Sequence, residues 1–163
     1  MNTQHKPTYI SLFSSAGVGC YGFKMAGFDC IATNELLERR LNIQRYNQKC
    51  KYPGGYICGD ITQEQTKKLL YDQLEFWKAK EHLSRVDVVI ATPPCQGMSI
   101  ANQKKTDTEI VRNSLVVESI KIIQKINPRF FVFENVPAFM KTICTDLDGT
   151  NKSIADAIER SLG

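Results

Sequence analysis

The chain has 163 residues, of which 42% are hydrophobic and 23% charged, a composition that suits one domain, residues 1–163, with its own core and argues against disorder. No apolar run reaches the roughly 18 residues that a membrane span needs, and the opening Met1-Asn2-Thr3-Gln4-His5-Lys6-Pro7 is polar rather than signal-like, so a soluble, cytoplasmic protein is expected, with no membrane partner. The formal charge of +4 is mild, and alone it favours an ordinary soluble protein over a nucleic-acid binder.

Apolar runs alternate with helical patterns along the chain. The first strand is predicted over Tyr9 to Phe13. It leads into Phe13-Ser14-Ser15-Ala16-Gly17-Val18-Gly19-Cys20-Tyr21-Gly22, which contains Gly-x-Gly-x-x-Gly. Glycines at a strand-to-helix turn let backbone approach a ligand. A second strand, Cys30 to Thr33, ends near Glu35, an acidic side chain roughly 20 residues on from the glycines, where ribose hydroxyls can be accepted. The pattern describes a nucleoside cofactor and leaves NAD and S-adenosylmethionine both open. Arg39, Arg40, Arg45, Lys49 and Lys51 cluster on the next segment, either as a solvated helix face or as contacts to phosphate.

The third strand, Tyr56 to Cys58, is closed by Gly59-Asp60-Ile61. Asp60 can take an adenine amino hydrogen while Ile61 packs on the ring, or it can cap the helix that follows. That helix is predicted from Thr62 to His82, with Thr62 and Gln65 forming a capping box.

Val86 to Ala91 reads as a buried fourth strand and runs into Pro93-Pro94-Cys95-Gln96. Two prolines remove two backbone donors and stop strand and helix alike, which presents the thiol at the carboxyl end of the strand, where ligands bind in open α/β sheets. Taken alone, the tetrapeptide fits an incidental cysteine as well as a nucleophile. Lys104 and Lys105 follow it, where the phosphate backbone near a reacting base would lie. A helix over Asn113 to Lys125 carries the apolar stripe Leu115, Val116, Ile120, Ile122, Ile123 and Ile126 and stops at Pro128. The fifth strand, Phe130 to Phe133, is closed by Glu134-Asn135-Val136-Pro137. A carboxyl group therefore stands at the same sheet end as Cys95, a pairing suited to covalent attack on an electron-poor ring that is protonated as it is attacked. Thr145 to Thr150 is a turn-rich loop before a last helix from about Asn151 to Leu162.

Repeated β-α units predict a doubly wound, mostly parallel Rossmann-like α/β sheet, with strand order 3-2-1-4-5. Six cysteines without a Cys-x-x-Cys pair and only two histidines speak against a metal site and against a histidine-dependent hydrolase. Five of the six cysteines read as reduced thiols, and Cys95 is the exception.

Together, Phe13 to Gly22, Asn34-Glu35, Gly59-Asp60-Ile61, Pro93-Pro94-Cys95-Gln96, Arg112-Asn113-Ser114-Leu115 and Glu134-Asn135-Val136 resemble the ordered motifs of DNA (cytosine-5) methyltransferases. The resemblance covers Tyr9 to about Val136 and implies the methyltransferase fold, S-adenosylmethionine as cofactor and double-stranded DNA as partner. It implies that Cys95 adds to carbon 6 of a flipped-out cytosine, that Glu134 engages ring nitrogen 3, and that carbon 5 takes the methyl group. It also implies a cofactor pocket built from Phe13, Ser14, Gly17, Gly19, Glu35, Leu36, Asp60, Ile61, Pro93 and Leu115, supported by Pro94, Gln96, Arg112, Asn135 and Val136. This sequence departs from the family at Ser15 and Val18, where glycine is usual, at Leu36, where an aromatic is frequent, at Thr92, where glycine is common, and at Ile110, two before Arg112, where an acid is usual.

By the same resemblance, the family would continue beyond Gly163 with a Gln-Arg-x-Arg segment, a target-recognition domain and a closing segment. The expectation is an N-terminal catalytic portion, active with a second chain that supplies the rest. The alternative is a non-catalytic cofactor-binding remnant. A nicotinamide-dependent dehydrogenase leaves Pro-Pro-Cys-Gln and Glu-Asn-Val unexplained.

Overall fold

A computed structural model describes residues 6–94 and 107–163, with the side chains of 107–114 excepted. The chain divides into two compact units, Met1–Ala91 with Asn127–Val132, and Thr92–Ile126 with Phe133–Gly163. Among the described residues, no helix is long and apolar enough to cross a membrane.

The first unit is built on β1 (Thr8–Leu12), β2 (Asp29–Glu35), β3 (Tyr56–Cys58), β4 (Val88–Ala91) and β5 (Phe130–Phe133), in the order β3-β2-β1-β4-β5. The register is parallel for β1 with β2, β1 with β4 and β2 with β3. Alternate residues of β1 are buried on opposite faces. Tyr9 joins Cys20, Cys30, Cys50, Val88 and Ile90, with Phe23, Phe28 and Tyr56 packed alongside, while Ile10 and Leu12 are fully buried as well. A sheet covered on both faces needs apolar runs rather than apolar-polar alternation, which is why these strands were legible. Burial raises the pKa of both Tyr9 and Cys50. Cys20, Cys30, Cys50, Cys58 and Cys144 are all free thiols.

Asp87 ties the sheet together at its amino end. Its Oδ2 accepts from the Thr8 backbone N–H at 2.8 Å and the Thr8 hydroxyl at 3.1 Å, and its Oδ1 pairs with Arg129 Nε at 3.3 Å. β5 is the edge. Phe130 is 68% exposed, Phe131 36% and Val132 40%, although the strand is apolar throughout.

Helices α1 (Tyr21–Met25), α2 (Glu38–Tyr46) and α3 (Glu64–Glu81) complete this unit. The long α3 buries Leu70, Leu74 and Trp77 and packs on β2. Its predicted capping box does not form. The helix begins at Glu64 behind Gln63, which makes no side-chain cap bond, so Thr62 stands one residue ahead of the cap position, and its hydroxyl donates to Asp60 Oδ1 at 2.8 Å.

The second unit comprises α4 (Asp107–Ile126), β6 (Ile143–Thr145), β7 (Asn151–Ser153) and α5 (Ile154–Leu162). α4 starts earlier than the sequence reading, at Asp107. Its Val116, Val117 and Ile120 share a core with Phe139, Cys144, Ile154 and Ala157. The expected helix start at Asn151 is also corrected. Asn151 to Ser153 pair antiparallel with Ile143 to Thr145, across a turn held by Asp146 and Asp148, and the helix begins only at Ile154. There Ser153 caps it by accepting from the Asp156 N–H at 3.1 Å, a Ser-x-x-Asp cap like those of helix starts generally.

Candidate active site

The turn after β1 has an unusual backbone. Phe13 has φ +56°, Ser15 +51° and Gly17 +86°. For the two non-glycine residues, left-handed backbone persists only where surroundings enforce it. The enforcing bonds are specific. Ser14 donates its backbone N–H and its hydroxyl to the Asn34 carbonyl, at 2.9 and 3.0 Å. The Ser15 N–H donates to Glu35 Oε2 at 2.8 Å, and its carbonyl accepts from Gln44 Nε2 at 2.6 Å.

Glu35 closes β2. Its side chain is 5% exposed and also accepts from the Leu37 N–H at 3.1 Å and from Arg40 at 3.2 Å. A carboxylate has about four acceptor positions, so these three bonds leave one position on Oε2. Leu36, at the next position, is 62% exposed. Asp60 is exposed after β3, and its Oδ1 accepts from the Thr62 N–H and hydroxyl. That geometry makes Asp60 the organiser of the turn ahead of α3 and not its N-cap. Ile61 is 2% exposed and anchors the turn in the core. The loop, Glu35 and Asp60 all belong to the first unit and sit at the carboxyl ends of β1, β2 and β3. The two carboxylates are acceptors, a set that fits the donating hydroxyls and amino group of a nucleoside.

The other predicted residues lie in the second unit. Pro93 is buried and Pro94 exposed, just past β4. Glu134 is exposed immediately past β5, which neighbours β4 in the sheet. Asn135 Nδ2 donates to the Pro93 carbonyl at 2.8 Å, while its Oδ1 accepts from the Val136 N–H at 2.8 Å. The turn after β5 is thereby pinned to the turn after β4. Leu115 is half-buried on α4. Cys95, Gln96, Lys104, Lys105 and the side chain of Arg112 lie outside the described residues.

The basic cluster is largely paired internally. Arg40 meets Glu35, Arg45 meets Glu38 and lies over the Tyr56 ring at 5.3 Å, and Lys51 meets Glu81 at 2.9 Å. This supports a structural and solvated role for the segment over a row of phosphate contacts.

Sequence reasoning missed the roles of Gln44 and Thr33, and it placed Arg40 in the basic cluster without its pairing to Glu35. The signal for Gln44 was its spacing of three from Leu41, which puts both on one helix face, and these are the two buried residues of α2.

The family model for C-5 cytosine-specific DNA methylase matches residues 8–156. The Type II methyltransferase M1.HgaI of Avibacterium volantium is 35% identical over 136 residues, covering 81% of this chain and 35% of the relative. The Type II methyltransferase M.HpaII of Haemophilus parainfluenzae is 31% identical over 166 residues, covering 99% of this chain and 39% of the relative. The chain thus spans about a third of the length of the curated relatives that it matches. Among solved structures, a DNA modification methyltransferase encoded within an E. coli prophage superposes with a TM-score of 0.59 at 26% identity, over 83% of this chain and 33% of that one. The S. pombe Dnmt2 methyltransferase superposes with a TM-score of 0.62 at 16% identity, over 97% of this chain and 40% of that one, and shares the fold.

Proposed function

Because this chain belongs to the C-5 cytosine-specific DNA methylase family, we propose that it carries the cofactor-binding and catalytic segments of an enzyme that methylates carbon 5 of cytosine in double-stranded DNA. S-adenosylmethionine supplies an electrophilic methyl group when bound. The acceptors present suit that cofactor: Glu35 would hold the ribose hydroxyls, Asp60 the adenine amino group, and the turn from Ser14 to Gly19 would border it. Phe13 and the exposed Leu36 would supply apolar wall on the first unit.

Carbon 5 of cytosine is a poor nucleophile within the aromatic ring. The Cys95 thiolate adds at carbon 6 across the carbon 5–carbon 6 double bond of a base turned out of the helix, while Glu134 protonates ring nitrogen 3. Carbon 5 of the resulting enamine takes the methyl group, and loss of the carbon 5 proton with expulsion of the thiolate restores the ring. Asn135 keeps the two turns that carry these groups in a fixed relation. The observation that supports this reading most is its bond to the Pro93 carbonyl at 2.8 Å, because it joins the Glu134 turn directly to the turn that leads to Cys95. A DNA substrate also implies work inside the cell, and the remaining two-thirds of the relatives' length would be supplied in the same polypeptide or by a second chain.

The test is transfer of labelled methyl from S-adenosylmethionine to cytosine-containing duplex DNA, with the complementing C-terminal part of a relative present. Cys95→Ser should abolish transfer while leaving cofactor binding nearly unchanged, since serine offers no accessible anion at neutral pH. Glu134→Gln should slow transfer strongly. Retained transfer in Cys95→Ser would overturn the covalent mechanism, and cofactor binding without transfer in the unsubstituted protein would identify a non-catalytic remnant.

A further inference from the structure

Helix α2 is polar and exposed along most of its length, yet Gln44 is 1% exposed. A primary amide at that depth must satisfy its donors and its acceptor inside the protein. It does so entirely around the turn after β1. Nε2 donates to Ser14 Oγ at 2.9 Å and to the Ser15 carbonyl at 2.6 Å, and Oε1 accepts from Thr33 Oγ1 at 2.8 Å. The carbonyl of Ser15 can only accept, which fixes the amide orientation. Thr33 Oγ1 in turn lies 2.7 Å from Ser14 Oγ and accepts from Lys49 Nζ at 3.0 Å. The stem of Gln44 fills the remaining space, since a Cβ on Gly17 would meet Gln44 Cγ at 3.0 Å.

These contacts fall on the strained part of the turn. Ser15, at φ +51°, has its N–H held by Glu35 and its carbonyl held by Gln44, one on each side of the left-handed residue. Removing the Gln44 donor frees the carbonyl and lets Ser15 relax to an ordinary conformation, which turns its N–H away from Glu35. Glu35, still held at Oε1 by Leu37 and Arg40, then loses the one bond that fixes its Oε2 against the turn. We infer that Gln44, backed by Thr33 and Lys49, is a positioning residue that holds the cofactor turn and Glu35 in their binding geometry, without itself touching the ligand.

The inference rests on the reading that this turn and Glu35 bind S-adenosylmethionine, and the experiment separates the two. The full chain is titrated calorimetrically with S-adenosylmethionine as wild type, Glu35→Ala, Gln44→Met and Gln44→Glu, with amide hydrogen exchange of residues 14–17 recorded on each. Gln44→Met removes the amide at nearly constant volume and should weaken binding about tenfold, the loss of roughly one well-made hydrogen bond, with faster exchange at Ser15. Gln44→Glu guards against a folding failure in the methionine variant and adds a signature that general destabilisation does not produce. A protonated carboxyl can donate to the Ser15 carbonyl and an ionised one cannot, so its affinity should fall between about pH 5.5 and about pH 8, as a glutamate beside an acceptor loses its proton, while the wild-type affinity changes much less. Binding by Gln44→Met at wild-type affinity, or a wild-type pH profile in Gln44→Glu, would overturn the inference. If the wild type binds nothing, or Glu35→Ala binds as well as wild type, the cofactor reading fails. Exchange at residues 14–17 then decides alone, and unchanged exchange in Gln44→Met would overturn the positioning role.

Discussion

Replacing Gly17, Gly19 and Gly22 by alanine one at a time should give three different results, although one motif contains all three. Gly17 has φ +86°, and an alanine Cβ would lie 3.0 Å from Gln44 Cγ. Left-handed backbone costs an L-residue about 1–2 kcal/mol. Displacing Gln44 from its bonds to Ser15 and Ser14 adds about 1 kcal/mol, for a total of about 2–3 kcal/mol. In a chain of 163 residues each kcal/mol lowers the melting midpoint by about 2–4 °C, so Gly17→Ala should melt about 5–10 °C below wild type. Gly19 and Gly22 have no positive φ, and nothing lies within 4 Å of their Cβ positions. Gly19→Ala should therefore be neutral to within about 0.5 kcal/mol, and Gly22→Ala, inside α1, should stabilise by about 0.5–1 kcal/mol. Thermal melts followed by circular dichroism measure all three. A Gly17→Ala protein as stable as wild type, or three equal losses, would refute the claim that position 17 alone demands glycine for its conformation.

Asn135→Ala should cost about 1 kcal/mol in a denaturant melt and reduce methyl transfer far more than that stability loss explains; unchanged transfer would mean that the link to Pro93 is not used. The Lys152 side chain, bonded to Asp146 at 2.7 Å, holds that carboxyl below its usual range. A depressed carboxyl stabilises above its unfolded value, about 3.9 for aspartate, and loses that contribution as pH falls through the folded value. The melting midpoint should therefore drop below about pH 4 and do so less in Asp146→Asn; equal acid sensitivity in both proteins would assign the effect elsewhere. Finally, the exposed aromatic edge of β5 predicts association of the isolated chain. Sedimentation should show mass rising with concentration and falling back in Phe130→Lys, and a monomer throughout would show that this edge does not self-associate.

Much of the sheet was legible in the sequence because a parallel strand covered on both faces must be apolar at nearly every position, as Val88 to Ala91 is, while Tyr56 to Cys58, an edge strand with Cys58 exposed, is marked instead by the turn residues around a short apolar run. The order of the motifs then located the carboxyl ends of the strands, and with them the loop after β1, Glu35, Asp60, the two prolines and Glu134. Side-chain partnerships were not legible. Thr62 and Gln65 have the spacing of a capping box, but α3 starts one residue later behind Gln63, and Asn151 to Ser153 read as helix until a strand eight residues upstream is there to pair with them. Phe130 to Phe133 has the composition of a covered central strand and stands exposed at an edge, because apolar composition specifies a preference for burial and only a neighbouring element can satisfy it. Gln44 is the clearest case, thirty residues from Ser14. Its spacing of three from Leu41 is all that a local pattern contains, and only the packing of α2 against the turn after β1 brings its amide to the Ser15 carbonyl, since hydrogen-bond partners are chosen by proximity in space.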